Sequence, residues 1–525
     1  MYSKTFCAAV QGIEGRIIQV EADISDGLPG FSLVGDLSPE VKEARERVRI
    51  ALQNSGYRFP PRKVTVNLSP ADIRKDGTGY DLAIAIAVLS AYGYIPENHF
   101  HNIIWIGELS LKGEIRPVSG VLPRVYTGLE HGMKYCVLAQ GNQEEAAAVT
   151  GMSVVGVRSL RELTEMLVQG RLAEHIFAGT ARKEQRDETG VDFQDVMGQE
   201  SARRAAEVAA SGMHNLLMIG PPGSGKSMIA GRMAGILPAM TFDEQMEVSR
   251  VYSVAGLLSE ERPLVQARPF RAPHHTVTQK SLVGGGAYPK PGEVSLASGG
   301  VLFLDELPEF DRNTLEVLRQ PLEDGCVYIS RLGTSCYFPA HTLLMAAMNP
   351  CKCGWYPDRT KCRCSPGQVR RYLGRISQPL LDRIDICTET VPINYSQLAG
   401  GRGAICEKAT GNLQDNLPEG SAAIRQRVEE AQKQQMERYR GEDFCHNADL
   451  TPRKIKKYCH MTKEAEEYLE QIFHKMEFTA RAYHKILKVG RTVADMAGSA
   501  RIKKEHIAEA VFYRSIDRRY WGGEE

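Results

Sequence analysis

The sequence predicts an α/β fold: two consecutive α/β units followed by a helical C-terminal region. Three observations predict it. Over residues 1–170, short β-rich runs ("RIIQVEADI", "KVTVNLS", "IIWIGELSL", "YCVLA", "SVVGV") alternate with helical stretches such as Pro39–Ser55 and Asp81–Tyr92. Over 191–395 a helix (199–212), a strand (215–219), a Gly-rich loop and another helix follow in the order that builds a parallel sheet. From 396 to 525, after a Gly-, Asn- and Pro-rich loop at 400–420, the spaced apolar positions are helical, as in "AAIRQRVEEAQKQQMERY" and "ARAYHKILKVGRTVADMAG". Residues 171–190 are mostly polar and read as a linker.

Bulk properties narrow the function classes. The 525 residues give room for about three domains, because single cores stop growing near roughly 250–300 residues. A net charge of +1 confines any nucleic-acid contact to local basic patches. The apolar run "LAIAIAVLSAYGYI" (82–95) is too short and interrupted to cross a bilayer, so a buried helix is expected and no membrane partner. The N-terminus lacks a signal-peptide core, and cysteines outside 351–364 are scattered. Both suit a reducing, cytoplasmic location.

"LLMIGPPGSGKS" (216–227) is an apolar strand entering a phosphate-binding loop. Gly220, Gly223 and Gly225, with Pro221, Pro222 and Ser224 between them, let backbone N–H groups face phosphate oxygens at a helix N-terminus. Lys226 is placed to reach the β and γ phosphates of ATP, and Ser227 to ligate Mg²⁺. "GGVLFLDELPEF" (299–310) supplies a second buried strand that carries Asp305 and Glu306 out at its end. Asp305 suits the Mg²⁺ shell and Glu306 the polarisation of an attacking water. An acidic pair capping the next helix is the plainer alternative.

These residues resemble the AAA+ superfamily, a P-loop parallel-sheet domain with a helical lid. The resemblance implies roles for further positions. "MAAMNP" (345–350) ends in Asn349 where a sensor-1 residue stands, "PLLDRIDI" (379–386) carries Arg383 as an arginine finger, and "FTARAYHKIL" (478–487) carries Arg481 as a sensor-2 arginine. For both arginines, a surface ion pair or a solvated helix face is the alternative.

Two inserts narrow the resemblance. Between Lys226 and Asp305, "RPFRAPHHTVTQKSLVGGGAYPKPGEVSLASGG" (268–300) breaks any long helix, and "GCVYISRLGTSCYFPAHTLLMAAMN" reads as a β-hairpin with its tip at Arg331–Gly333. They resemble the helix-2 insert and pre-sensor-1 hairpin of the magnesium-chelatase clade. Such loops line the pore of hexamers, where Arg331, Lys280 and Lys290 would track a phosphate backbone; simple solvation of exposed loops is the alternative. His274 and His275 are expected to point apart along a strand, which disfavours a metal. With "APHHT", "CRCSPGQVRRYLGRISQPLLDRID" and "GELSLKGEIRPVSG", the chain resembles the YifB/ComM family of magnesium-chelatase-like AAA+ ATPases over nearly its whole length. That implies a homo-oligomer, a hexamer, working on branched or single-stranded DNA as a helicase or branch-migration motor. A chelatase-type ATPase acting on a partner protein is the second reading. An unfoldase with Tyr288 as its pore aromatic is the third.

Residues 74–91 and 107–132 resemble the catalytic segments of Lon-type serine–lysine proteases, but the nucleophile position reads Gly79 and the base position Leu122. Thr78 and Ser119 have no lysine placed to deprotonate them, so residues 1–170 are expected to be an inactive Lon-protease-like domain.

"NPCKCGWYPDRTKCRC" (349–364) holds four of the chain's 12 cysteines. Cys351, Cys353, Cys362 and Cys364 form two C-x-C pairs able to enclose a tetrahedral Zn²⁺, with free loop thiols as the alternative; disulfides do not suit a reducing compartment. A structural staple between Asn349 and Arg383 is expected.

Overall fold

The computed structural model describes residues 1–96, 102–179, 190–286, 289–331, 334–392 and 419–521. Strands β1 (Tyr2–Gln11), β2 (Glu14–Ser25), β3 (Gly30–Val34), β4 (Lys63–Ser69), β5 (Ile103–Ile106), β8 (Tyr135–Ala139) and β9 (Ser153–Val157) make one mixed sheet. Their order is β3-β4-β2-β1-β5-β8-β9, and the short β6 (Glu108–Leu109) and β7 (Ile115–Arg116) pair separately. β2 and β4 alternate buried and solvent-facing residues, the period of a half-covered antiparallel pair. The helix Asp81–Ala91 buries ten of its eleven residues, so the apolar run is a core helix. Ser3 and Thr5 of β1 tie it to the sheet through the carbonyls of Ala87 and Ala83.

The second unit is a five-stranded sheet of β10 (Leu216–Ile219), β11 (Phe270–Arg271), β14 (Val301–Leu304), β17 (Leu343–Met348) and β18 (Ile386–Glu389). Its order is β11-β14-β17-β10-β18, and every pair is parallel. Covered on both faces, β10, β14 and β17 are fully buried, which explains their unbroken apolar sequences. Because all strands run the same way, their carboxyl ends share one edge, where α/β sheets bind ligands. The predicted helix 199–212 is observed as Glu200–Gly212, and the helix after the Gly-rich loop runs Lys226–Ile236.

Both inserts are present. β12 (Gly284–Gly285) pairs with β13 (Lys290–Pro291), and β15 (Cys326–Arg331) with β16 (Thr334–Pro339), each antiparallel. They meet one another, since a Cβ at Gly284 would stand 3.2 Å from Ile329 Cδ1. The proposed hairpin tip at 332–333, Tyr288 and most of the 400–420 loop lie outside the described residues.

The C-terminal helices Ser421–Arg438, Pro452–Tyr458, Lys463–Lys475, Ala480–Met496 and Lys504–Trp521 share one core with the five-stranded sheet: Ile424, Val428, Ile486 and Val493 pack with Leu216, Met218 and Ile386. The N-terminal unit also touches the second. Met246 and Leu264 join the core around Ile104 and Val125, and Ser253 Oγ donates to Glu145 Oε1 (2.5 Å) while Leu122 N donates to Ser253 Oγ (3.3 Å). Among the described residues no helix is long and apolar enough to cross a membrane.

Candidate functional site

β10 ends at Ile219 and hands the chain to a loop that uses left-handed backbone at Gly223 (φ +72°) and Gly225 (φ +85°) before the helix begins at Lys226. Both values fall where only glycine is free of strain. Gly220 is required for a different reason: a Cβ there would stand 2.0 Å from Thr390 Oγ1. Ser224 Oγ donates to Pro221 O (2.8 Å) and lies 2.7 Å from Thr390 Oγ1, so the loop is braced on the end of β18.

Lys226 Nζ donates to Gly220 O (2.8 Å), Pro221 O (2.9 Å) and Asn349 Oδ1 (3.3 Å). Burial pushes its ammonium down to about 8 against the attraction of Asp305 and Glu306. Ser227 Oγ donates to Asp305 Oδ2 (2.7 Å), so the two hard oxygen donors already converge. That pair fits a Mg²⁺ ion, which takes few protein ligands beside phosphate oxygens. Asp305 Oδ1 accepts from Glu306 N (2.9 Å), and Glu306 itself takes φ +51°. The structure therefore brings Lys226, Ser227, Asp305, Glu306 and Asn349 to one edge of the sheet, from the ends of β10, β14 and β17.

The two histidines depart from expectation. Their rings lie 4.0 Å apart, because they stand in the loop after the two-residue β11, where the period of two does not apply. His274 Nδ1 bonds Thr276 Oγ1 (2.9 Å), and His275 Nδ1 lies 3.6 Å from Glu306 Oε2. His275 is thus a neighbour of the water-polarising candidate, which sequence reasoning missed.

Arg383 and Arg481 stand elsewhere. Arg383 stands in the turn before β18, separated from it by Ile384 and Asp385, and its carbonyl accepts from Nδ2 of Asn215 (2.9 Å), the residue before β10. Asn215 Oδ1 also accepts from Leu344 N (3.0 Å), so this one side chain ties together the amino ends of neighbouring strands. From Asn215 to Gly220 the strand advances roughly 16 Å at about 3.3 Å per residue, which sets Arg383 at the sheet edge opposite Lys226. Its guanidinium donates to Arg319 O (2.9 Å) and Pro379 O (2.8 Å) and pairs with Glu323. It faces a cleft of ≈ 500 Å³ shared with Val283 and Tyr328 of the two inserts. Arg481, at the start of its helix, pairs with Asp382. The turn between is anchored to the helical region, with Lys485 Nζ and Arg514 Nη1 both donating to Ile384 O (2.6 and 3.0 Å).

Lys280 and Lys290 are exposed on the first insert, beside the β12–β13 ribbon. Arg331 ends β15; its side chain lies outside what the structure describes. Tyr328 was not foreseen. It is exposed on the hairpin with its ring 5.6 Å from Tyr337, and only an aromatic at alternate strand positions signalled it.

The four cysteine sulfurs lie within 4.8 Å of one another, with Cys351 3.3 Å from Cys353 and 3.8 Å from Cys362, and Cys353 3.5 Å from Cys362. Four sulfurs around Zn²⁺ at 2.3 Å have edges of about 3.8 Å, so the set fits that ion. None of these contacts is short enough for a disulfide, whose S–S bond is about 2.0 Å.

In the N-terminal unit, Arg124 Nη1 would lie 2.2 Å from a Cβ built at Gly79. A serine there would have to displace the Arg124 guanidinium, and Leu122 is fully buried. Thr78 Oγ1 is engaged by Glu108.

Comparison with known proteins follows the same division. Residues 192–398 match the magnesium chelatase subunit ChlI, 20–142 match a further ChlI-subunit region and 418–514 its C-terminal region. The competence protein ComM of Haemophilus influenzae is 40% identical over 521 residues, covering 98% of this chain and 97% of that protein. The YifB protein of Escherichia coli is 40% identical over 511 residues, 97% of this chain and 96% of that one. Lon protease 2 of Bacillus subtilis is 28% identical over 129 residues, 24% of this chain and 23% of its own.

Proposed function

The chain belongs to the YifB/ComM family of magnesium-chelatase-like AAA+ ATPases, and from that premise we propose that it is an ATP-hydrolysing ring motor, a hexamer, that moves along or remodels DNA. The observation that carries the proposal is the split of the site between two edges of one sheet. Lys226, Ser227, Asp305, Glu306 and Asn349 gather at the carboxyl ends of the strands, while Arg383 and Arg481 stand at the amino ends. A ring that places one subunit's arginine edge against the next subunit's phosphate loop completes one site at each interface.

In that arrangement the loop N–H groups and Lys226 hold the β and γ phosphates, and Ser227 and Asp305 hold Mg²⁺. The ion neutralises charge on the phosphates when bound. Glu306 polarises the attacking water and Asn349, hydrogen-bonded to Lys226, orients it at the γ phosphate. Arg383 of the neighbour stabilises charge that develops in the transition state; such fingers contribute about 10³–10⁵ in rate. Lys485 and Arg514 link the Arg383 turn to the helical lid, so lid motion would carry the finger with it.

DNA is the favoured substrate for two reasons. The name of the Haemophilus relative assigns it to competence. The two inserts also touch each other, with Lys280 and Lys290 exposed on one and Tyr328 exposed on the other, cations and an aromatic of the kind that grips a nucleic-acid strand without reading it. The alternative, an ATPase of the chelatase type that remodels a partner protein, draws on the family match over 192–398. ATPase activity compared with and without forked and four-way DNA at low salt separates the two. We assign the four cysteines to a structural Zn²⁺ and the N-terminal unit to an inactive, assembly role.

A further inference from the structure

The cysteine loop and the phosphate loop are in contact. Gly354, one residue past Cys353, takes φ +81°, and a Cβ built on it would stand 2.5 Å from Pro222 Cδ. Pro222 is the centre of the phosphate-binding turn. The cysteine run also leaves directly from Asn349, which holds Lys226. The same short segment thus touches both the loop that cradles phosphate and the residue that orients its lysine.

On its far side the loop meets the end of the C-terminal helix. The Tyr356 ring lies 6.1 Å from that of Tyr520, and Trp521 Nε1 donates to Leu373 O (3.2 Å), just past the cysteines. Tyr520 OH in turn donates to Glu389 (2.8 Å) at the end of β18, one residue before the Thr390 that braces Ser224. The loop is therefore wedged between phosphate loop and lid.

Regular helix and strand are absent from 351 to 364, and the ties within the loop are turn-like and local: Gly354 N→Cys351 O (3.0 Å), Cys362 N→Asp358 O (2.8 Å), Thr360 N→Asp358 Oδ1 (3.0 Å) and Arg359 Nη1→Cys364 O (3.0 Å). Among the described residues only the four converged sulfurs join its two ends, 351–353 and 362–364, to one another at a single point.

We propose that Zn²⁺ bound by Cys351, Cys353, Cys362 and Cys364 holds Gly354 against Pro222, so that the affinity of the phosphate loop for nucleotide depends on the metal. The inference rests on the reading of Lys226 and its loop as the ATP site. Zinc enters no chemical step. It acts as a tensioner: with the ion in place the turn keeps the backbone shape that faces phosphate, and with the ion removed that shape is one of several.

The test uses the full-length protein. Metal content is measured by mass spectrometry, and binding of a fluorescent ATP analogue with Mg²⁺ is titrated before and after zinc is stripped by a chelator, then after zinc is restored. We expect about one zinc per chain, nucleotide affinity weakened about tenfold on stripping, in the range found when outer supports of a site are lost, and recovery on zinc alone. Gly354→Ala separates the contact from the ion. It should retain zinc yet weaken nucleotide to a similar degree, and it keeps the proposal falsifiable if Cys353→Ser or Cys362→Ser fails to fold. Folded protein purified without chelator and lacking zinc overturns the site. One zinc per chain with nucleotide affinity unchanged, both on stripping and in Gly354→Ala, overturns the coupling. Failure of the untreated, zinc-loaded protein to bind nucleotide at all falls instead on the reading of the phosphate loop.

Discussion

Arg481 is ion-paired with Asp382, and Asp382 is followed directly by Arg383, so two arginines from distant segments stand together at one edge of the ATPase sheet. Lys226 occupies the other edge, with the length of β10 between them. On the proposed ring reading, both arginines serve the phosphate loop of a neighbouring subunit. In that proposal subunit association is part of the chemistry, and the first two predictions follow from it.

Arg383→Ala and Lys226→Ala subunits, each inactive alone, are expected to regain ATPase activity when mixed. One interface in such a ring pairs an intact loop with an intact finger. Turnover measured across mixing ratios checks it, with native mass spectrometry confirming mixed rings. Mixed rings that stay inactive contradict a finger acting across subunits.

Arg481→Ala is expected to lower turnover by at least about tenfold while leaving thermal stability nearly unchanged. The side chain is 74% exposed, and exposed pairs contribute only about 0–1 kcal/mol to folding. Steady-state kinetics and a melting curve on the same sample separate the two. Unchanged turnover would leave Arg481 a surface ion pair with Asp382.

Gly12→Ala tests what the N-terminal unit does for the motor. Gly12 sits at the β1–β2 turn with φ +66°, and a Cβ there would stand 2.4 Å from Tyr337 O in the second hairpin. Gln11 Nε2 donates to Ser335 O beside it (3.3 Å). Displacing this buttress should reduce stimulation of the ATPase by DNA several-fold and leave unstimulated turnover intact, because the phosphate loop is untouched. Equal stimulation in the variant would reduce the contact to simple packing.

Glu145 gives a pH signature for the joint between the two units. Burial pushes its carboxyl above the usual range, against hydrogen bonds from Ser253 and Leu122 N. A raised folded value means that the folded state holds its proton more tightly than the unfolded one, so wild-type stability falls as pH rises through that window. Glu145→Gln removes the buried charge. Its melting temperature should match wild type in acid and exceed it increasingly as pH rises above the ordinary carboxylate range, as followed by thermal denaturation across pH. A constant offset at every pH would contradict the assignment.

How much of this was legible in the sequence depends on how local each signal is. Gly220, Gly223, Gly225, Lys226 and Ser227 sit in one unbroken stretch, and their backbone demands are met within it. Asp305 and Asn349 were readable as the first polar residues after apolar runs, since a buried strand must release its next side chain at the sheet edge. That Gly79 and Leu122 stand where the protease pattern needs a serine and a lysine was also plain, but the filling of that space by Arg124 was not. Asn215 and Thr390 were missed because their partners Arg383 and Ser224 lie 168 and 166 residues away, and His275 because folding alone brings it beside Glu306. The histidine pair misled for a related reason: a strand period was applied where β11 stops after two residues. Contact between Gly354 and Pro222 was invisible for the same cause, although each belonged to a motif already marked.

The most direct measurement of the central claim is ATP turnover of the full-length protein with linear, forked and four-way-junction DNA at low salt, paired with strand displacement. Branched DNA should raise turnover several-fold and be unwound, and Glu306→Gln should abolish both while still binding nucleotide. Turnover indifferent to every DNA, with no change in assembly, would contradict a DNA motor.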